Sequence, residues 1–174
     1  MATLHIIESV VDRLKSQIPK LAVENFPDKP SEYRLNHPKG ALLVSYAGSR
    51  FGETEDVGMV VQRQIITLSI TVVMRLLNGS EGAIEVLDKV RAVLIGFKPP
   101  GCRRKIWAVN EKFLGESAGI WQYALDVNTE SILIEADEVE PGALLTTITT
   151  QDEYNRIEIS KMSDGTINKE ESSV

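Results

Sequence analysis

The strongest constraint on this chain is a run of period-two alternation between Val60 and Arg75. Ile66, Leu68, Ile70, Val72 and Met74 fall on one side of it, and Thr67, Ser69, Thr71 and Arg75 on the other. Successive side chains of a strand point to opposite faces, so this run specifies a strand with one buried and one polar face. Such a sheet needs an apolar layer on one side. Two amphipathic segments can supply it. Leu4, Ile7, Val11, Leu14, Ile18 and Leu21 recur at helical spacing, with Thr3 as candidate cap and Pro19 ending the helix near Gln17 or Ile18. Ala83, Ile84, Leu87, Val90, Val93 and Leu94 form a second stripe, preceded by the capping segment Asn78-Gly79-Ser80 and stopped by Lys98-Pro-Pro-Gly101.

Three further strands are expected. Ala41–Ala47 is short and apolar, Lys105–Leu114 alternates weakly, and Ile120–Glu135 alternates Trp121, Tyr123, Leu125 and Val127 with Gln122, Asp126 and Asn128. Residues 48–58 read as a loop between the first two strands, and 115–119 as a turn. The stretch from Val23 to Gly40, with Pro27, Pro30 and Pro38, reads as an irregular connection, long for a compact domain. The order helix, strand, strand, helix, strand, strand gives an α+β fold: a mainly antiparallel sheet with both helices on one face. Two strands near sixteen residues would span about 50 Å each, against a radius of gyration of about 16 Å for a chain of this size. Either they project beyond the body as hairpins, or bulges break them into shorter pieces.

Composition sorts function classes. The 174 residues are 43% apolar and 25% charged, which excludes full disorder. Apolar runs are far short of the roughly 20 residues that cross a bilayer, so no membrane partner is expected, and no signal peptide is visible. Residues 1–134 hold 15 acidic and 16 basic side chains, whereas 135–174 hold 10 acidic and 3 basic. The body is close to neutral and the end carries the imbalance. That argues against nucleic-acid wrapping and sequence-specific nucleic-acid binding. The chain is expected to divide at 138/139 into an α+β domain, 1–138, and an acidic arm, 139–174. Leu144–Thr150 has strand composition, and the last dozen residues look disordered when alone.

Catalytic chemistry is sparse. His5 sits in the first helical turn and reads as a surface residue, and His37 precedes Pro38 with no nucleophile near it in sequence. Cys102 beside Arg103 and Arg104 is either a thiol with a depressed pKa or an inert exposed thiol in a turn. Gly48-Ser49-Arg50-Phe51-Gly52 lacks the lysine and the following helix of a phosphate-binding loop. Glu53, Glu55 and Asp56 could hold a cation, or simply be solvated. Arg103-Arg104-Lys105 is the one basic cluster, read as a solvated turn or a phosphate site. No catalytic residue, cofactor or metal is assigned.

The stretch from Pro38 to Gly52 (PKGALLVSYAGSRFG) resembles the signature region of a small protein family of Mu-like prophages and related contractile-tailed phages. The strand from Gln64, the helix over 83–94 and Gly119–Val127 (GIWQYALDV) extend the resemblance over roughly residues 1–135. Members are similar to lambda-type tail terminators, and R-type bacteriocins carry relatives. The resemblance implies a homo-hexameric ring that caps the head-proximal end of the tail, stops tube and sheath growth, and joins the neck. Implied partners are further copies of the chain, the tail tube protein, the tail sheath protein and the head–tail connector or collar. The implied location is the bacterial host cytoplasm during assembly, then the virion or tail particle. Another neck, connector or baseplate adaptor ring is the alternative, and a small ligand-binding domain or enzyme a distant third. Ser49, Arg50, Phe51 and Glu53, with Arg103 and Arg104, are the candidate interface residues, because arginine and aromatics are enriched in interface anchors. Phe51 tucked onto its own core is the competing reading.

Overall fold

The computed structural model describes residues 3–56, 58–136, 147–151, 156–161 and 167–172. They divide into two compact units, Met1–Glu135 and Ala136–Val174.

The first unit is the expected α+β arrangement. Helix α1 (Thr3–Gln17) is followed by strands β1 (Ala22–Asn25), β2 (Gly40–Asp56) and β3 (Val60–Met74). Helix α2 (Ala83–Leu94) then leads to strands β4 (Arg104–Ser117) and β5 (Ile120–Ile134). The sheet order is β1-β2-β3-β5-β4, antiparallel except for the parallel β1–β2 pair. Both helices lie on one face: α1 packs on β1, β2 and α2, while α2 packs on β3, β5 and β4. Beneath them the alternating set Ile66, Leu68, Ile70, Val72 and Met74 is buried, joined by Leu42, Val44, Leu125 and Val127. Each such side chain removed from water contributes roughly 1.5–3 kcal/mol, and this layer is what holds the unit together.

The helices bury much of the expected stripes, Val11, Leu14 and Ile18 with Ala83, Leu87, Val90 and Leu94, and shift at the edges. In α1 the buried residues are Ile6, Val10, Val11 and Leu14, while Leu4 is exposed; in α2 Val86 is buried and Ile84 exposed. A chain with apolar residues at adjacent positions supports two stripes, and the one nearest the sheet wins. The cap of α2 is Gly82, not Asn78 or Ser80. Carbonyls of the preceding turn satisfy its first free N–H groups, with Ala83 N donating to Leu76 O at 2.8 Å and Ile84 N to Leu77 O at 3.3 Å. A Cβ on Gly82 would lie 2.5 Å from the carbonyl oxygens of Leu77 and Asn78, so glycine is required by close approach.

The connection before β2 contains two elements invisible in the sequence, strand β1 and one 3-10 turn at Pro30–Glu32. Its length has a topological cause. Because β1 and β2 are parallel, the chain must return to the same end of the sheet, which takes a dozen or more residues. It crosses the face opposite the helices, where Tyr33 and Leu35 pack on Ala41, Leu43 and Val73. His37 locks its end: Nδ1 accepts from Lys39 N at 3.2 Å and Gly40 N at 3.3 Å.

The two long strands stay unbroken, β3 and β5 at 15 residues each, and the bulges fall in β2 and β4 instead. β2 does not stop at Ala47; it runs on through Asp56, so most of the expected 48–58 loop is strand. Register shifts at Tyr46/Gly48 and Phe51/Thr54 absorb its turn-like residues without ending the ladder. β4 carries three such shifts, whereas β3 and β5 pair without one. The β4–β5 turn is tighter than expected, only Ala118 and Gly119, both at positive φ (52° and 76°). That is a two-residue hairpin turn of the left-handed type.

In the second unit, β6 (Thr147–Gln151), β7 (Arg156–Lys161) and β8 (Ile167–Ser172) form an antiparallel sheet in that order. β6 coincides with the expected strand stretch. β8 falls within the last dozen residues, and Ile167–Ser172 pair with β7. The expected boundary at 138/139, and Leu144 to Thr146 of the expected strand, lie outside the described residues.

Candidate functional site

The candidate interface residues occupy two faces of one strand and the start of another. On β2, Ser49 pairs with Ile66 and Phe51 with Gln64, which puts both on the helix-covered side; Arg50 pairs with Ile65 and faces the opposite, open side. Glu53 sits in the bulge between Phe51 and Thr54. Ser49 is engaged locally: its hydroxyl lies 3.0 Å from the Tyr46 hydroxyl, which donates to it, and accepts from Gln64 Nε2 at 3.0 Å.

Phe51 is 54% exposed, which argues against its being tucked onto the core. It belongs to a larger group at this end of the sheet. Met59, Val60, Leu133 and Ile134 are also exposed there, at or beyond the last rungs of β3 and β5. The strand ends are pinned together, since Val60 N donates to Glu135 Oε2 at 2.7 Å and Glu135 N to Val60 O at 2.8 Å. A firm apolar end results. Sequence reasoning found only Phe51 of this group. The rest were invisible because residues 59–60 and 133–134 meet only through the β3–β5 register.

The second group is charged. One rung of the sheet runs Arg50, Ile65, Glu130, Arg104, across β2, β3, β5 and β4. The structure thus brings together two arginines chosen separately in the sequence. It adds Arg63, whose Nη2 donates to Glu130 Oε2 at 2.7 Å, while Arg104 Nη1 lies 3.8 Å from that oxygen. The Glu130 residue is only 5% exposed, and the hydrogen bond from Arg63 holds its carboxyl below the usual range against the opposing effect of burial. Arg104 also stacks over the Trp107 ring at 4.9 Å. Arg103 donates its backbone N–H to Glu130 O at 2.6 Å. Further along the same face, Ser69 Oγ bonds Asp126 Oδ1 at 2.6 Å and Thr67 Oγ1 bonds Asn128 Oδ1 at 2.8 Å. The open face thus carries polar pairs along β3 and β5 beside the arginine rung, and beyond it Ile132, Val61 and Ile134 follow on the same face.

Cys102 is buried in the core, not exposed in a turn, and burial pushes its thiol pKa up despite the hydrogen bond with Thr129. Neither expected reading, reactive thiol or exposed thiol, describes it. His5 is on the surface, bonded to Glu8 at 3.1 Å. Gly48–Gly52 is extended strand and forms no cradle. Among the described residues, no three His, Cys, Asp or Glu side chains gather as a metal set would. A groove of about 600 Å³ between α1 and α2 is lined by Ile18, Leu21 and Val86 and edged by Lys20, Lys39 and Lys89. Lys39 is paired with Glu81 there. No helix of the described residues is long and apolar enough to cross a membrane.

Among curated proteins, none matches the chain. A solved structure titled "Virion of native gene transfer agent (GTA) particle" contains a similar chain. The TM-score is 0.49 at 15% identity, over 76% of this chain and 96% of that one. Residues 10–154, most of the chain, match the model of the Gp37 protein family. The chain belongs to the Gp37 family and is a phage-associated protein.

Proposed function

We propose that this chain is a structural subunit of a phage or phage-like particle, and within it the tail terminator. In this reading several copies close into a ring on the head-proximal end of a contractile tail. The ring stops growth of tube and sheath and offers its other side to the connector or collar. It works by binding and not by catalysis.

The observation that carries the reading is the exposed apolar end formed by Phe51, Met59, Val60, Leu133 and Ile134. Exposed apolar side chains gathered at one end of a sheet mark a contact site. A cap needs such a surface on one side only, and Phe51, Val60 and Leu133 share the helix-covered side of this end. Residues 139–174 serve as an assembly arm.

The test uses preassembled tail tubes incubated with gold-labelled protein and viewed by negative-stain microscopy. Label at one end only, with further growth blocked there, is the expected result. Label along the tube, or none, rejects capping and favours a neck or baseplate adaptor. Truncation after Glu138 is expected to impair assembly; unchanged infectivity or killing removes the arm.

A further inference from the structure

Three arginines, Arg50, Arg63 and Arg104, share the open face of the sheet, and Arg103 adjoins them just before β4. Arg50 and Arg104 occupy the two outer positions of one rung, about 14 Å apart at three strand spacings of roughly 4.8 Å. Arg63 lies between them, two residues along β3 from the rung, and Arg103 adjoins Arg104. All four are exposed. Glu130 fixes the cluster from beneath, at 2.7 Å from Arg63 and 3.8 Å from Arg104. One buried carboxylate cannot fill the donors of two guanidinium groups, each of which carries five N–H. Arg50 and Arg103 form no ion pair among the described residues, and Arg103 acts on Glu130 only at longer range. The acid of the neighbouring strand that bears on the cluster is Glu55, felt by Arg63. Cations are in surplus, and two of them are held in place by Glu130 and Trp107.

The matching surplus of anions lies in the same polypeptide. Residues 135–174 hold 10 acidic and 3 basic side chains, while residues 1–134 are nearly balanced. We propose that the arginine cluster Arg50, Arg63, Arg103 and Arg104 is the seat for the acidic C-terminal segment of a second copy of this chain. The two surfaces differ, so the contact is head-to-tail, the kind that propagates from copy to copy and closes into a ring when the rotation permits. Every copy brings one seat and one segment. A phosphate backbone is the weaker fit, because the acidic segment carried by each copy repels it and the body lacks the net positive charge that counterion release needs. The inference rests on the reading of the chain as an assembling subunit and names one contact of that assembly.

The test uses two full-length charge-reversed chains, R50E/R103E and D137K/E138K/E140K/D152K/E153K. R50E/R103E spares Arg63, Arg104 and Glu130, so the paired cluster stays intact; circular dichroism checks both folds. Self-association is followed by sedimentation velocity at about 50 mM and 500 mM salt. The wild type is expected to associate, more weakly at high salt because exposed charges are screened. Each variant alone is expected to lose at least about tenfold in association constant. Mixing the two variants is expected to restore association, since each then supplies the partner surface the other lacks. No restoration on mixing, as for a contact within one chain, overturns the proposal. So does tight binding of a dT oligonucleotide by the wild type that R50E/R103E abolishes, which makes the cluster a phosphate site. A wild type that never self-associates also overturns it, while end-labelling of tubes tests capping independently.

Discussion

Replacing Phe51 with alanine separates a contact residue from a core residue. A phenylalanine side chain offers about 200 Å², and Phe51 is 54% exposed, so roughly 90 Å² is covered within its own subunit. At about 25 cal/mol per Å² that is an upper bound near 2 kcal/mol, and the Cβ that alanine retains brings the expected cost to about 1–1.5 kcal/mol. The comparator is Ile66, on the same face of the adjacent strand and 1% exposed. Ile66→Ala removes packed core and is expected to cost about 2–5 kcal/mol. Urea unfolding followed by tryptophan fluorescence reads both, because Trp107 and Trp121 lie in the first unit. The expected pattern is a small stability loss with loss of tube-end attachment for Phe51→Ala, and a large stability loss for Ile66→Ala. A Phe51→Ala loss above about 3 kcal/mol would show that the ring serves its own core. Normal attachment by Phe51→Ala would equally refute the assignment of this end as a contact.

Three further outcomes follow from local chemistry. Ala118 sits at φ 52° in the β4–β5 turn; Ala118→Gly is expected to raise stability by about 0.5–1 kcal/mol, because a left-handed backbone costs a residue with a Cβ, and no gain in thermal midpoint counts against that turn geometry. Cys102 is buried with its thiol pKa pushed up, so a thiol reagent near neutral pH is expected to react slowly with native protein and fully after denaturation; fast native reaction contradicts the burial. The Glu130 carboxyl is held below its ordinary range by Arg63, so the unfolded chain takes up that proton more readily. The stabilisation is present above the unfolded carboxylate pKa and is lost as pH falls through the lower folded value. Glu130→Gln is expected to flatten the acid limb of the stability curve; an unchanged slope between pH 5 and 3 removes the linkage.

The legible parts of the fold were those whose period is local. β3, β5 and the two helices were visible because each carries its own alternation or stripe in consecutive residues. β1 was not, since four residues with only Val23 buried show no period, and their partner strand begins fifteen residues later. The second half of β2 read as a loop because Gly48, Ser49 and Gly52 are turn residues in isolation; bulges and the β3 partner make them strand. Phe51 and Arg50 could be picked out by residue type. Their company could not: Met59 and Arg63 meet them through the β2–β3 pairing, and Leu133, Ile134 and Glu130 only through the β3–β5 pairing.

The unslipped pairing of β3 with β5 has a mechanical consequence. Fourteen consecutive pairs, from Val61 with Ile134 to Met74 with Trp121, run down the middle of the sheet. A force along the strand axis, applied to the two strands in opposite senses, loads this ladder in shear, so its hydrogen bonds bear the load together. The same force applied across the open end of a hairpin such as β2–β3 peels its bonds one at a time. The middle of this sheet is thus its stiff tension member, and the bulged strands β2 and β4 are its compliant flanks.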